Sequence, residues 1–247
     1  TPLPGLSVTG SYFTDFKLTD RWGGSIATDQ WNFQTNSVAI NNTNGARYSL
    51  TNALQRNHRQ VYDLYADYTK TLGGHSITAV AGFNQEHYLT RNVNASRTDL
   101  LSYDTPVLAA AANDPQTNGN ANDFAMRSFF GRLAYNYKGR YLLETNMRYD
   151  GSSRFAPDRR WGLFPSVSAG WMISAEDFWE PLGNTINDFK LRASWGKLGN
   201  NGIGNYEWQE FYQPNNYSFG GSIVPGLVYE SFGNPLITWE STDVLNI

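Results

Sequence analysis

Apolar and polar side chains alternate along much of this chain, which is the pattern of a β-strand with two different faces. In the segment 141–150, Leu143, Thr145 and Met147 alternate with polar residues such as Glu144 and Asn146. The same alternation predicts strands at 61–69, 76–86, 128–137 and 188–196, and weaker ones at 6–16, 161–173 and 237–247. We therefore expect an all-β protein with about eight antiparallel strands.

Short and long connections alternate between these predicted strands. Tight turns are expected at Gly73-Gly74 and at Lys138-Gly139-Arg140, whereas the segments 92–123 and 198–236 are expected to be long polar loops. The link 151–160 is longer than the tight turns, and the intermediate link 174–187 is expected to hold a helical turn at 176–180. Small turns on one side of a membrane and large loops on the other are typical of a transmembrane β-barrel.

The composition agrees with strands that cross a membrane. Charged residues make up 17% of the chain, below the roughly 25% of soluble domains, while aromatic residues reach 15%. Mean hydropathy is only −0.50, which suits strands whose second face stays polar. We expect aromatic girdles near strand ends, formed by Tyr137, Tyr141, Tyr149, Trp161, Trp171 and Trp195. On composition alone, a Tyr-rich soluble β-sandwich remains an alternative.

Other totals and motifs exclude several classes of function. The net charge of −3 without a basic block argues against nucleic acid as a partner, and the absence of cysteine excludes disulfides and thiol chemistry. His58, His75 and His87 lack metal-ligand spacing, and the segment 199–204 lacks the Lys-Ser/Thr pair of a phosphate loop. We expect no catalytic residue, no cofactor and no metal site.

Both ends of the sequence are expected to be cuts from a longer protein. The first five residues show neither the basic nor the apolar region of a signal peptide, and the last four stop inside a predicted strand.

From Tyr137 onward the chain carries a series of specific short sequence motifs. They are YKGRYLLE at 137–144, RYDGSSRFAP at 148–157, RWGLFPSVSAGW at 160–171, LRASWG at 191–196, GNN at 199–201, GNP at 233–235 and TWE at 238–240. In their identity and order these motifs resemble those of the SusC/RagA-like TonB-dependent transporters of Bacteroidota-type outer membranes. The motif IGNY at 203–206 belongs to the same series, and weaker matches at 65–70 and 81–86 extend it upstream. The resemblance covers roughly residues 45–247.

This resemblance implies a larger molecule than the chain itself. It implies a barrel of about 22 strands, of which residues 1–247 supply about a third, with the plug domain, the TonB box and the C-terminal strands outside the chain. It also implies the outer membrane of a Gram-negative bacterium, a SusD-like surface lipoprotein as a lid, and TonB-energised import of oligosaccharides or peptides. The alternative is a soluble extracellular β-rich protein, either a carbohydrate-binding module or a glycosidase domain.

Two groups of residues are candidates for a role in this function. Arg148, Asp150 and Arg154 are expected to gather on the lumen or at a loop base and to brace the loop through ion pairs, with Gly151 in a turn of positive φ. Direct contact of these three residues with ligand is the alternative. Trp208, Phe211, Tyr212 and Tyr217 lie among Gln and Asn residues, which suits stacking on sugars or holding peptides. Packing of that loop on itself or on the lid protein is the alternative, and both remain open.

Overall fold

β-Strands make up most of the molecule. The computed structural model describes residues 3–24, 29–40, 49–102, 104 and 106–247. The strands of this part are β1 (Leu6–Gly23), β2 (Asp29–Asn32), β3 (Ser37–Ile40), β4 (Ser49–Leu72), β5 (His75–Leu100), β6 (Ala111–Tyr137), β7 (Tyr141–Ser152), β8 (Trp161–Met172), β9 (Lys190–Asn200), β10 (Phe211–Phe219), β11 (Ser222–Ser231) and β12 (Glu240–Asn246). Short 3-10 helices lie at Leu108–Ala110, Ile173–Ala175 and Asp177–Leu182. Within the described ranges, no helix is long and apolar enough to cross a membrane.

Eight of these strands form one sheet in the order β1-β4-β5-β6-β7-β8-β9-β12, while β10–β11 and β2–β3 are separate two-stranded hairpins. The registers of β6 to β9 and β12 are antiparallel throughout. The eight antiparallel strands expected from the alternation are therefore confirmed.

The chain divides into two compact units, each described by itself. Unit 1 comprises Thr1–Phe13, Gln60–His87 and Phe124–Ile247, and unit 2 comprises Thr14–Arg59 and Tyr88–Asp123. In unit 2, Leu50, Leu100 and Ala111 form a small buried cluster. In unit 1, the buried side chains include Phe155 and Ala156 in the link after β7.

Both tight turns have the backbone that the sequence predicts. Gly73 and Gly74 have φ of 56° and 87°, the positive values that a two-residue hairpin turn of type I′ requires. Lys138 and Gly139 also have positive φ, and the Asn136 side-chain oxygen accepts the Gly139 N–H at 2.7 Å. The Lys138 N–H donates to the Gly74 carbonyl at 2.7 Å, so the two turns lie at the same end of the sheet, here called the turn end. The opposite end is called the loop end.

The prediction of a long loop at 92–123 is wrong. Strand β5 continues to Leu100 and β6 begins at Ala111, which leaves only the link 101–110. Alternation marks a strand only where its two faces meet different surroundings. The residues of 112–123 are mostly polar and exposed on both faces, so they show no alternation although they are paired.

The link 198–236 is not a plain loop either. Strand β9 continues to Asn200, and the hairpin β10–β11 turns at Gly220 and Gly221, both with positive φ. A Gly-Gly pair between Phe219 and Ile223 is a hairpin signal that could have revealed it. The helical turn expected at 176–180 is present as the 3-10 helix Asp177–Leu182.

Candidate functional site

The register of β6 to β9 and β12 gives the sheet one apolar and one polar face, because neighbouring side chains on a strand point in opposite directions. One row of directly opposed residues is largely apolar and consists of Leu133, Thr145, Val167, Trp195 and Leu245. The next row is largely polar and consists of Ala134, Glu144, Ser168, Ser194 and Asn246. The split that the alternation predicts within β7 is therefore present across the neighbouring strands.

The apolar face is exposed rather than covered. Met147 is 55% exposed, Leu163 50% and Leu143 48%. Burial of apolar surface stabilises a protein by about 25 cal/mol per Å², so exposure of this face to water is unfavourable. An exposed apolar face of this extent indicates a surface that contacts a membrane or a partner.

Aromatic side chains border the apolar face at both ends. At the turn end Tyr137, Tyr141 and Trp171 lie opposite one another, and at the loop end Tyr149 stacks on Trp161 with ring centroids 4.8 Å apart. Tyr149 follows Tyr141 by eight residues, about 26 Å along the strand, or about 20 Å along the axis of a barrel whose strands tilt by about 40°. That is close to the roughly 25 Å apolar band of an outer-membrane barrel.

Trp195 does not belong to either band. It lies in the middle of β9, opposite Val167 and Leu245 on the apolar face. The prediction that Trp195 lies near a strand end is wrong, because β9 continues to Asn200, four residues beyond the predicted end at Gly196.

The polar face of unit 1 carries a groove of about 810 Å³. Its lining includes Arg132, Glu144, Lys190 and Arg192, together with several serines. Arg132 and Glu144 form an ion pair with a nitrogen–oxygen distance of 2.7 Å. This surface suits water or a polar segment of protein, as the inner face of a large barrel does.

Arg148 and Asp150 form an ion pair at the loop end of β7. The Arg148 guanidinium donates to both Asp150 carboxylate oxygens, at 3.1 and 3.2 Å, and also to the Ser128 hydroxyl at 3.2 Å. Asp150 and Ser128 are buried, while half of the Arg148 side chain is exposed. The carboxylate is thus held inside the sheet by an arginine of its own strand.

Arg154 does not join this pair. Its guanidinium donates to the Asn205 side-chain oxygen at 3.0 Å and to the Asn201 carbonyl at 2.9 Å, and it lies over the Phe124 ring at 4.6 Å. The Asn201 side chain in turn donates to the Ser152 hydroxyl at 3.1 Å. Arg154 therefore connects the link after β7 to the link after β9.

A buried aromatic contact reinforces this connection. The Phe155 side chain is fully buried, and its ring centroid lies 5.3 Å from that of Trp239. The Trp239 indole N–H donates to the Arg160 carbonyl at 2.8 Å, and the Arg160 guanidinium donates to the Phe155 carbonyl at 3.2 Å. The links 153–160 and 201–239 thus share a small core that sequence reasoning did not find, because its members are far apart along the chain.

The expectation of a turn at Gly151 is wrong. Gly151 lies within β7 opposite Trp161 and is not among the glycines with positive φ. A Cβ atom at this position would lie 2.9 Å from atoms of the Trp161 ring. Glycine is therefore required here for the close approach of an aromatic ring.

The four candidate aromatic residues do not form one cluster. Tyr212 lies on β10 against Tyr229 of β11, with ring centroids 4.6 Å apart, and both rings are about half exposed. The hydrogen bond with Tyr229, followed by the one with Glu210, raises the pKa of Tyr212. Tyr217 follows Tyr212 by five residues, so it projects from the opposite face of the hairpin.

The other members of this group differ in their surroundings. The Tyr217 hydroxyl donates to the Leu227 carbonyl at 2.9 Å, and its ring covers Gly226, so it packs on its own hairpin. Phe211 is 39% exposed at the start of β10. Trp208 precedes the hairpin, and its indole nitrogen is buried without a hydrogen-bond partner in the described part of the chain.

At the turn end, a polar cluster fastens the β8–β9 link. The Arg140 guanidinium donates to Glu176 at 3.1 Å and to Asp177 at 2.9 Å, and the Trp171 indole N–H donates to Glu176 at 3.0 Å. Hydrogen bonds from Tyr141 and Trp171, with the charge of Arg140, lower the pKa of Glu176. No group of three His, Asp or Glu side chains that could hold a metal ion occurs among the residues with described positions.

Comparison with known proteins identifies the class to which this arrangement belongs. The model of the family described as "TonB dependent receptor-like, beta-barrel" matches residues 4–247. The chain therefore belongs to the TonB-dependent receptor β-barrel family, and the resemblance found in the sequence is confirmed.

Individual relatives agree with this assignment. The TonB-dependent receptor SusC of Bacteroides thetaiotaomicron is 34% identical over 190 residues, which is 75% of this chain and 18% of that protein. The TonB-dependent receptor P39 of Formosa agariphila is 36% identical over 181 residues, 72% of this chain and 17% of that protein. The chain thus spans less than a fifth of the length of either relative.

A solved structure shows the same fold. The structure of the RagAB peptide transporter superposes with a TM-score of 0.81 at 23% identity, covering 98% of this chain and 26% of the matched one. The eight-stranded sheet is accordingly a segment of a larger barrel.

Proposed function

We propose that this chain forms part of the wall and the surface loops of an outer-membrane transporter, which imports oligosaccharides or peptides with energy derived from TonB. The observation that carries the proposal is the exposed apolar face bordered by two aromatic bands. A soluble carbohydrate-binding module or glycosidase domain would not leave such a face in water, and the relatives are named as receptors and transporters.

The remaining parts of the transporter come from outside this chain. About eight strands of a barrel of about 22 strands cannot close by themselves. The plug domain, the TonB box and the C-terminal strands would complete the molecule, and a SusD-like lipoprotein would cover its outer opening. In this proposal the chain performs no bond-making chemistry.

At the loop end, the candidate residues take different roles. Arg148 and Asp150 stabilise the end of β7, and Arg154 holds two surface links together. Tyr212, exposed beside Tyr229, contacts the ligand or the lid, whereas Tyr217 supports the hairpin. Trp208 and Phe211 border the same hairpin and contribute to the same contact surface.

The test uses the bacterium that encodes the protein. Wild type, a deletion of the parent gene and a TonB-depleted strain are grown on a panel of oligosaccharides and peptides as sole carbon sources. We expect the deletion and the depletion to abolish growth on the same panel member. Growth of the deletion strain on every member would contradict the import function.

A second measurement separates the proposal from its soluble alternative. The parent protein should require detergent for extraction and should migrate differently in gels before and after heating. A soluble monomer that binds sugar without detergent would support the alternative instead.

A further inference from the structure

A polar cleft of about 230 Å³ lies in unit 2 on strands β1, β4, β5 and β6. Five carboxamide side chains line it, here called the amide cleft: Gln55, Asn92, Asn94, Asn118 and Asn120. Among the described residues that line it, Arg21 is the only charged one, and none is aromatic. We propose that the amide cleft binds a neutral oligosaccharide.

The hydrogen-bonding groups of the cleft match a sugar. The Asn92 side-chain N–H donates to the Asn120 side-chain oxygen at 2.8 Å. This leaves the Asn92 oxygen as an acceptor and the Asn120 NH2 group as a donor. Exchanging oxygen and nitrogen in both amides still leaves one acceptor and one donor, now on the opposite residues. Two adjacent sugar hydroxyls, each able to donate and accept, fit such a pair.

A second pair of amides extends this surface along the same two strands. Asn94 lies two residues beyond Asn92 on β5, and Asn118 lies two residues before Asn120 on β6. Within the described chain, neither side chain has a hydrogen-bond partner. Residues two apart on a strand share a face and lie about 7 Å from each other. A ligand that repeats its hydroxyl groups along its length can therefore contact both pairs.

The rest of the lining disfavours other ligands. Among the described residues of the lining, no carboxylate is available to pair with a cationic group, and a single arginine offers little to a polyanion. The apolar members, Ala53 and Leu54, form no deep pocket for a peptide side chain. The volume lies below the roughly 300–1,000 Å³ of sites for drug-sized ligands, which suits one segment of a longer sugar chain.

This inference rests on the proposed function and names the ligand class for it. The test uses the full-length parent protein in detergent and isothermal titration calorimetry. The probes are linear neutral hexasaccharides of glucose, xylose, mannose and galactose, with a neutral hexapeptide for comparison. The variant combines Asn94→Ala with Asn118→Ala, and Asn184→Ala, an exposed amide in the β8–β9 link outside the cleft, is the matched control.

We expect at least one hexasaccharide to bind the wild type. The double variant should weaken that binding about tenfold or more, because two neutral hydrogen bonds are lost, and Asn184→Ala should leave it unchanged. Unchanged affinity in the double variant would overturn the inference. A lower melting temperature with unchanged affinity would show that another part of the protein fills the cleft, which also overturns it.

The growth experiment separates this inference from the proposed function. Binding of the hexapeptide alone would overturn the amide cleft as a sugar site, while TonB-dependent growth on peptides would still support import. Loss of TonB dependence on every panel member would instead contradict the proposed function itself.

Discussion

The ring of Phe155 packs against the ring of Trp239 at 5.3 Å between centroids, although the two residues belong to links after different strands. Phe155 is fully buried in a molecule whose large apolar side chains are mostly exposed. The contact therefore makes the loop end an ordered structure with a core of its own.

Phe155→Ala should loosen both links without unfolding the barrel. Truncation of a buried Phe costs about 3–5 kcal/mol, and here the cost falls on a local structure. We expect hydrogen exchange in the segments 153–160 and 232–239 of the detergent-solubilised parent protein to accelerate. Phe232→Ala, at a residue that is 80% exposed, is the control and should change little. Equal exchange in both variants would mean that the Phe155–Trp239 contact does not hold the links.

Arg154→Lys should separate the two links that Arg154 connects. A lysine cannot reproduce the planar fork that reaches Asn201 and Asn205 while lying over Phe124. A hydrogen bond from a charged group contributes about 1.5–3 kcal/mol, so exchange at 201–205 should accelerate. Arg159→Lys is the matched control, since the Arg159 side chain has no partner among the described residues. Protection of 201–205 that survives Arg154→Lys would contradict the proposed role.

The sequence predicts the strands of this fold better than their ends. Leu143, Thr145 and Met147 reveal β7 because one face is apolar and the other polar. The same rule fails in the segment 112–123, around Asn118, where both faces are polar, so a paired strand resembles a loop. Gly151 misleads for another reason: the Trp161 ring that requires a glycine there is a neighbour only in the folded sheet.

The candidate site is less predictable than the fold. The Arg148–Asp150 pair could be anticipated because its members are two residues apart on one strand. The partners of Arg154 lie in a link some fifty residues later, and nothing in the local sequence indicates them. Tyr212 and Tyr217 lie on opposite faces of the hairpin β10–β11. The sequence predicted a loop there, so these two faces could not be assigned in advance.

Deletion of residues 212–230 should impair uptake but not assembly. Strands β10 and β11 pair with each other and are not part of the eight-stranded sheet. Replacing them by a short Gly-Ser link should leave normal amounts of heat-modifiable parent protein in the outer membrane, with reduced growth on the imported nutrient. Deletion of the wall strand Trp161–Met172 is the comparison and should abolish assembly. Failure of the hairpin deletion to assemble would show that the hairpin is part of the wall.

Glu176→Gln should lower the stability of the structure at the turn end at neutral pH and should lower it less at acidic pH. Hydrogen bonds from Tyr141 and Trp171 lower the pKa of Glu176 below its unfolded value of about 4.3. The carboxylate therefore stabilises the folded state above that value, and this contribution is lost as the pH falls through the lowered folded pKa. Urea midpoints of wild type and variant should differ at pH 7 and converge as the pH falls from about 4.3 through the lowered folded pKa. Glu180→Gln, an exposed position in the same link, should show no such convergence, and a pH-independent difference for Glu176→Gln would exclude its ionisation as the cause.

The most direct test of the membrane assignment compares two neighbouring residues of β7. Thr145 lies in the apolar row with Leu133 and Val167, and Asn146 lies on the polar face opposite Arg132 and Ser166. An arginine near the midplane of a bilayer costs a barrel roughly 2–4 kcal/mol because no water or partner replaces its hydration. On the polar face a new arginine remains hydrated or finds Glu144 nearby, whose carboxylate already contacts the Asn146 amide at 3.1 Å.

Thr145→Arg in the parent protein should therefore reduce the folded fraction far more than Asn146→Arg. The measurement is heat-modifiable gel migration after refolding into lipid vesicles across a urea series. The two variants introduce the same side chain at adjacent positions of one strand, so the change in net charge is matched while the two positions lie on different faces. Equal losses would show that this strand does not meet lipid. A larger loss for Asn146→Arg would mean that the face of Asn146 meets lipid. Because serines, Glu144 and Arg132 share the face assigned to Asn146, this result would indicate that the true register is shifted by one residue.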